Sequence, residues 1–117
     1  EAQFLTPKQV DELTDVVDNY DIPVLCYGLR ADAFSYMFPG SKRLFEVADV
    51  FEELKAVCKC GSKATYNLRM NRINNELVPV FTGEQVSIDG IDAEYDSVCR
   101  PCYKKLRRKY VKEEENK

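Results

Sequence analysis

The sequence predicts a mixed α/β fold: part of a helix-covered parallel sheet, followed by a small module stapled by four cysteines. The run "DIPVLCYGL" is almost unbroken in apolar residues over 22–29, which is typical of a strand buried on both faces of a parallel sheet. The stretches "VCKCGSK" and "SVCRPCYKK" gather four of the five cysteines into two close pairs. A chain of 117 residues has room for one modest core.

The first predicted element is a helix in "TPKQVDELTDVVDNY". Thr6 is a capping residue, and Pro7 fits the first helical position. Apolar residues recur there at helical spacing, namely Val10, Leu13, Val16, Val17 and Tyr20. The strand at 22–29 comes next and needs neighbours on both sides. Because the chain has no other run like it and does not begin with Met, we expect the rest of the sheet to precede residue 1 in a longer protein.

The remaining elements follow from local patterns. "SKRLFEVAD" predicts a short amphipathic helix that Ser41 caps. "KATYNLRM" and "EQVSIDG" have strand composition, and the polar, turn-rich "NRINNELVPVFTG" between them predicts an exposed excursion. From Cys99 onward we expect a helix that ends in a charged tail.

Composition excludes several classes of function. The chain contains no histidine, which removes Ser-His-Asp and Cys-His catalysis and every zinc site that uses imidazole. A net charge of −3 argues against nucleic acid as the main partner, because phosphate binding favours a basic surface. No signal peptide and no apolar run long enough to cross a bilayer are present in these residues, so we expect a cytoplasmic protein that binds no membrane.

The paired cysteines predict a structural zinc site. Cys58 and Cys60 are one residue apart, and Cys99 and Cys102 form a C-x-x-C motif. Two close pairs joined by a long insert can bring four thiolates to a tetrahedral zinc and leave no open position for catalysis. Unrelated exposed thiols or two disulfides are the alternatives that the spacing leaves open. We expect the insert, 61–98, to form a binding loop, and Cys26 to be a buried core residue.

Longer motifs extend across nearly the whole chain. In order they are "EAQFL", "IPVLCYGLR", "GSKRLFEVAD", "ELKAVCKCGSKATYNLR", "GEQV" and "YDSVCRPCY". Together they resemble the C-terminal half of the type II thymidine kinases. The resemblance implies the C-terminal part of a doubly wound, P-loop-type parallel sheet at 1–57, a ribbon-like, zinc-binding lasso domain at 58–103 and a charged helical tail at 104–117.

The same resemblance implies an activity: transfer of the ATP γ-phosphate to the 5′-hydroxyl of thymidine, assisted by Mg²⁺, in nucleotide salvage for DNA synthesis. It implies thymidine and ATP as partners and a homo-oligomer, either a dimer or a tetramer. Glu1 matches the carboxylate that acts as base for the 5′-hydroxyl, and Tyr95 matches a lasso tyrosine that contacts the nucleoside. Further substrate contacts are implied at Phe4, Leu29, Phe38, Val86, Ser87, Ile88, Asp89 and Gly90.

The chain departs from the family pattern in three places. The family usually has "GLRTDF", whereas this sequence has "GLRADAF", so Ala33 stands at the pocket phenylalanine and Phe34 one position later. The lasso around "IDGIDAEY" is one residue longer, which can shift the contacts at 86–90 by one. No G-x-x-x-x-G-K-[ST] motif occurs, so we expect these residues alone to be inactive.

A second function from another class is a zinc-ribbon binding module. In that hypothesis the four-cysteine site presents the basic stretch 104–109 to nucleic acid or protein. It accounts for the cysteines and the basic helix, but it leaves the apolar strand and the aromatic loop unexplained. We therefore favour the kinase.

Overall fold

The structure is a computed structural model that describes residues 1–83 and 93–115. The chain forms two compact units. The N-terminal unit comprises Glu1–Asp32 and Tyr36–Glu53, and the C-terminal unit comprises Ala33–Ser35 and the described part of Leu54–Lys117. Within the described ranges, no helix combines the length and apolar character that a membrane span requires.

Helices build the N-terminal unit. A 3-10 helix at Ala2–Phe4 precedes α1 (Pro7–Tyr20), and α2 follows at Pro39–Val47. The predicted start of α1 is confirmed: the backbone N–H of Gln9 donates to the Thr6 hydroxyl at 3.1 Å. The Gln9 side chain in turn accepts from the N–H of Thr6 at 3.0 Å, which completes a capping box.

Helix α2 begins before the residue predicted to cap it. Pro39 occupies its first turn and Phe38 is the N-cap, with no hydrogen bond from its side chain. The prediction that Ser41 caps this helix is wrong, because Pro39 already has the fixed φ that a first helical residue needs. Ser41 is buried inside the helix, and its hydroxyl donates to the carbonyl of Leu29 at 2.5 Å. This hydrogen bond ties α2 to the end of the apolar stretch 22–29.

The apolar stretch 22–29 belongs to no sheet within the described residues. Leu25 is 79% exposed, and Cys26, predicted to be buried, is exposed as well. The stretch therefore forms no strand within the described residues, and the prediction that Cys26 is buried is wrong in this structure. A strand needs neighbouring strands for its backbone hydrogen bonds and packed elements to bury its side chains. The described sheets supply neither to residues 22–29, because they are antiparallel and belong to the C-terminal unit. The mixed α/β class is observed, without the parallel sheet.

The C-terminal unit contains two small antiparallel sheets and a helix. β1 (Ala56–Val57) pairs with β2 (Lys63–Ala64), and the second sheet has β3 (Tyr66–Ile73) between β4 (Glu76–Val80) and β5 (Ala93–Val98). Helix α3 spans Arg100–Glu115, as predicted from Cys99 onward. Two predictions lie outside the described residues: the strand in "EQVSIDG" and the substrate contacts at Val86, Ser87, Ile88, Asp89 and Gly90.

The segment predicted as an exposed excursion is largely a β-hairpin. Ile73 pairs with Glu76 across a two-residue turn at Asn74 and Asn75. Both asparagines have positive φ, 51° and 65°. A two-residue turn in this conformation has a twist that matches the twist of the flanking strands, so it is a favoured connection in β-hairpins. The prediction erred because this β4 segment contains a proline and a glutamate, and only its pairing with β3 makes it a strand.

The core of the C-terminal unit surrounds the cysteines. Leu68 of β3 and Val98 of β5 are buried against Tyr103 of α3, together with Cys58 and Cys99. The ring of Tyr103 lies 5.0 Å from that of Tyr66 and 5.5 Å from that of Phe81, measured between centroids. The apolar sheet face and the cysteine cluster therefore share one small core.

We expect Gly40→Ala to destabilise the N-terminal unit. A Cβ on Gly40 would overlap the backbone carbonyl oxygen of Leu5, which cannot rotate away as a side chain can. Overpacking of this kind costs about 1–3 kcal/mol, more than the helix propensity that alanine adds. Urea unfolding of the complete gene product measures the change, with the exposed Lys42→Ala on the same helix as control. An unchanged midpoint for Gly40→Ala would show that the close approach is not rigid.

Candidate functional site

Four cysteine sulfurs form the most distinctive cluster of the described chain. The sulfurs of Cys58, Cys60, Cys99 and Cys102 all lie within 4.8 Å of one another. The sulfurs of Cys60 and Cys99 are 3.6 Å apart, and all five cysteines are free thiols, which removes the disulfide alternative in this structure. The sequence prediction that both pairs meet at one point is therefore reproduced by the geometry.

Two different turns present the two pairs. Cys58 and Cys60 lie in the turn between β1 and β2, where the N–H of Gly61 donates to the carbonyl of Cys58 at 2.8 Å. Gly61 has φ +94°, a conformation that residues with a Cβ rarely adopt. Cys99 precedes α3, and its carbonyl accepts the N–H of Tyr103 at 3.0 Å, so the positive end of the helix adjoins its thiol.

The thiols have different acidities. Hydrogen bonds from the hydroxyl and the backbone N–H of Ser62 lower the pKa of Cys60 to about 6. The neighbouring thiols of Cys99, Cys60 and Cys58 raise the pKa of Cys102 to about 12. The Cys60 thiolate therefore forms readily. Ionisation of a neighbouring thiol is opposed by repulsion between the negative sulfurs, unless a bound cation offsets their charge.

The arrangement fits a tetrahedral thiolate-bound metal ion. Zn–S bonds of about 2.3 Å place tetrahedral sulfurs about 3.8 Å apart. The sulfurs of Cys60 and Cys99 are 3.6 Å apart, and no two of the four sulfurs are more than 4.8 Å apart, so their separations are close to that value. A fully coordinated ion of this kind can hold the β1–β2 turn against the start of α3.

Three of the predicted substrate contacts lie in the N-terminal unit. The rings of Phe4 and Phe38 meet edge to face, with centroids 5.6 Å apart and an interplanar angle of 80°. Phe38 is buried, whereas Phe4 and Leu29 are 51% and 45% exposed. The N–H of Leu29 donates to the buried side chain of Gln3 at 3.2 Å. Gln3 and Ser41 thus fix Leu29 from its two backbone groups, and sequence reasoning identified neither role.

The predicted base, Glu1, is exposed at the start of the same unit. The nitrogens of Glu1 and Ala2 both donate to the carbonyl of Tyr27, at 3.0 and 2.9 Å. Gly28 permits the close approach of its backbone to Gln3, since a Cβ at position 28 would lie only 2.7 Å from the side-chain oxygen of Gln3. Glu1 is therefore held beside the segment that carries Leu29.

Tyr95, the predicted lasso contact, lies on β5 of the C-terminal unit and is 53% exposed. Its hydroxyl accepts a hydrogen bond from Nε of Arg69 on β3 at 3.1 Å. The Arg69 guanidinium lies 5.5 Å from the centroid of the Tyr95 ring and 5.0 Å from that of Phe34. Sequence analysis missed Arg69, although an arginine between Leu68 and Met70 in a predicted strand was a visible signal.

The departure at "GLRADAF" also has a defined structure. Ala33 is buried, and its carbonyl accepts a hydrogen bond from the Tyr103 hydroxyl at 2.9 Å. The ring of Phe34 lies over the guanidinium of Arg69, 5.0 Å from its central carbon. Sequence analysis did not identify Tyr103, one residue after Cys102, as the partner of this segment.

Comparison with known proteins gives consistent results. A family model described as thymidine kinase matches residues 1–103. The thymidine kinase of Vibrio cholerae serotype O1 is 50% identical over 104 residues, which is 89% of this chain and 52% of that protein. The thymidine kinases of Haemophilus influenzae and Pasteurella multocida are 51% and 52% identical over the same shares. The chain spans about half the length of the curated relatives it matches.

We expect Cys60 to be the cluster thiol that reacts fastest with iodoacetamide in metal-free, reduced protein. It is exposed, and with a pKa of about 6 it is mostly thiolate at pH 7, whereas Cys102 is almost wholly protonated. Between pH 7 and pH 5 its rate should fall about tenfold, against about a hundredfold for an ordinary thiol. Mass spectrometry of peptides resolves each site. Faster alkylation of Cys102 than of Cys60 would contradict the assignment.

Proposed function

This chain belongs to the thymidine kinase family, and we propose that the protein transfers the γ-phosphate of ATP to the 5′-hydroxyl of thymidine. The observation that carries the proposal is identity of about 50% with thymidine kinases over 104 residues. The zinc-ribbon hypothesis is not favoured, because the family match begins at residue 1 and includes the whole N-terminal unit. We place the activity in the cytoplasm and in a homo-oligomer, a dimer or a tetramer.

Glu1 is the proposed general base. In phosphoryl transfer the attacking hydroxyl must be oriented in line with the phosphorus, and a carboxylate placed beside it can accept its proton. The hydrogen bond from the N–H of Ala2 to the Tyr27 carbonyl holds the backbone next to Glu1, which would limit the positions that the carboxylate can reach. Mg-ATP is the proposed co-substrate. Because the chain lacks a G-x-x-x-x-G-K-[ST] motif, we assign the phosphates to none of its residues.

The proposed thymine contacts combine apolar and polar groups. Phe4, Phe38 and Leu29 would cover the faces of a flat pyrimidine, and the edge-to-face ring pair suits a pocket wall that must not collapse. Tyr95 and the backbone at 86–90 would bind the nucleoside from the lasso. In the complete enzyme, residues 22–29 would form a strand of the doubly wound P-loop-type sheet, which would cover their exposed apolar side chains.

Zinc is the proposed metal at Cys58, Cys60, Cys99 and Cys102. Its role would be structural, since four thiolates complete a tetrahedron and leave no position for a substrate. When bound, the ion would offset part of the negative charge of the thiolates and would link the β1–β2 turn to α3. Both cysteine pairs are then held at the two ends of the proposed lasso.

We expect Glu1→Gln to lower kcat for thymidine by about 10²–10⁴-fold and to leave the zinc content unchanged, because the amide keeps the shape but cannot accept the proton. Steady-state assays of the complete gene product with ATP and Mg²⁺ measure this, with the exposed Glu12→Gln on α1 as control. A kcat within twofold of the wild type would remove Glu1 as the base. Absence of thymidine phosphorylation by folded, zinc-loaded wild type would remove the proposed function itself.

We expect Cys99→Ser to abolish stoichiometric zinc binding and to lower the melting temperature, because the metal contributes folding free energy to this unit. Cys26→Ser is the matched control and should retain about one zinc per chain, since its thiol lies outside the cluster. Inductively coupled plasma mass spectrometry measures the zinc content, and thermal unfolding measures the melting temperature. Equal zinc content in both variants would contradict the four-sulfur site.

A further inference from the structure

Arg69 occupies an unusual position for an arginine. It lies on β3, the central strand of its sheet, and only 5% of its surface is exposed. Burial of a guanidinium costs free energy, so its surroundings must offset the loss of hydration. The described contacts include two aromatic rings and the Tyr95 hydroxyl.

The sheet register builds this arrangement. Arg69 is the direct cross-strand partner of Tyr95, so both side chains leave the sheet on the same face. Phe34, which belongs to the same unit, lies with its ring centroid 5.0 Å from the guanidinium carbon. A cation over aromatic rings is a favourable contact, and arginine makes it more often than lysine, because its weakly hydrated guanidinium can also donate a hydrogen bond from a fixed position.

We propose that Arg69 is a positioning residue for nucleoside binding, which holds Tyr95 in one rotamer while the ring of Phe34 contacts the same guanidinium. The inference rests on the proposed function, because it takes Tyr95 as a nucleoside contact. An exposed tyrosine loses rotamer freedom when it contacts a ligand, and an arginine that has already fixed the ring lowers that cost. Arg69 therefore acts through Tyr95 and touches no reacting atom.

The same contacts give Phe34 a defined role. At "GLRADAF" the pocket position is held by Ala33, whose carbonyl is bound by Tyr103, and the aromatic ring one residue later lies on Arg69. The changed loop thus supplies a ring that shields the guanidinium from water. Removal of that ring should weaken the same positioning effect, since a hydrated guanidinium interacts less strongly with Tyr95.

The test compares Arg69→Met with Arg72→Met in the complete gene product. Arg72 lies on the same strand and pairs with Glu94 of β5 at 2.8 Å, but it is an exposed ion pair. For Arg69→Met we expect a rise of about tenfold in KM for thymidine and less than twofold change in KM for ATP. Arg72→Met should change neither by more than twofold. Arg69→Lys should have an intermediate effect, because it keeps the charge and loses the fixed guanidinium geometry.

A second readout does not depend on activity. With 3-fluorotyrosine placed at position 95, the wild type should give one ¹⁹F line displaced from that of the unfolded chain. In Arg69→Met this line should move towards the unfolded value, and in Arg72→Met it should stay. Adding Arg69→Met to Tyr95→Ala should raise KM for thymidine by less than twofold beyond Tyr95→Ala alone, because without the tyrosine side chain Arg69 has nothing left to position.

The outcomes separate the two claims. If the wild type phosphorylates thymidine but Arg69→Met leaves KM and the ¹⁹F line unchanged, the inference is overturned and the proposed function stands. Equal loss of thymidine and ATP affinity in a folded variant also overturns it. A wild type that does not phosphorylate thymidine overturns the proposed function. If Arg69→Met fails to fold, Phe34→Leu replaces it, with an expected rise of about threefold in KM for thymidine and no rise as the contrary result.

Discussion

The close approach of four sulfur atoms is the constraint on which the C-terminal unit depends. It joins Cys58 and Cys60, in the β1–β2 turn, to Cys99 and Cys102, at the start of α3, with the three-stranded sheet between them in the chain. Cys58 and Cys99 also belong to the buried core. A unit this small buries little apolar surface, so a bound metal ion would contribute a large share of its stability.

The effect of the cluster extends beyond its own ligands. Tyr103 follows Cys102 directly, packs against the rings of Tyr66 and Phe81, and donates a hydrogen bond from its hydroxyl to the carbonyl of Ala33. The segment Ala33–Ser35 is thereby a part of the C-terminal unit although its sequence neighbours belong to the N-terminal one. In the proposed function, the structural metal and the loop that departs from the family pattern are linked through this one tyrosine.

Two buried polar side chains organise the candidate substrate residues, one in each unit. Gln3 accepts the N–H of Leu29, and the close approach of Gly28 allows it to do so. Arg69 donates to Tyr95 and contacts Phe34. A buried polar group is stable only with its partners in place, so each of these residues restricts its neighbours to one geometry. The exposed candidates Leu29 and Tyr95 are thus held by buried residues that need not touch the substrate themselves.

Local patterns in the sequence determined α1 with its Thr6 cap and the helix after Cys99, because the residues that start a helix lie within one turn of each other. The spacing of the cysteines, typical of metal ligands, also predicted that the two pairs meet. The family also followed from sequence alone, through motifs that cover most of the chain. Tertiary structure decided the rest: strand β4, the exposure of Cys26 and the partners of Arg69. Each of these depends on which segment lies opposite, and a strand or a buried charge is defined by partners distant in sequence.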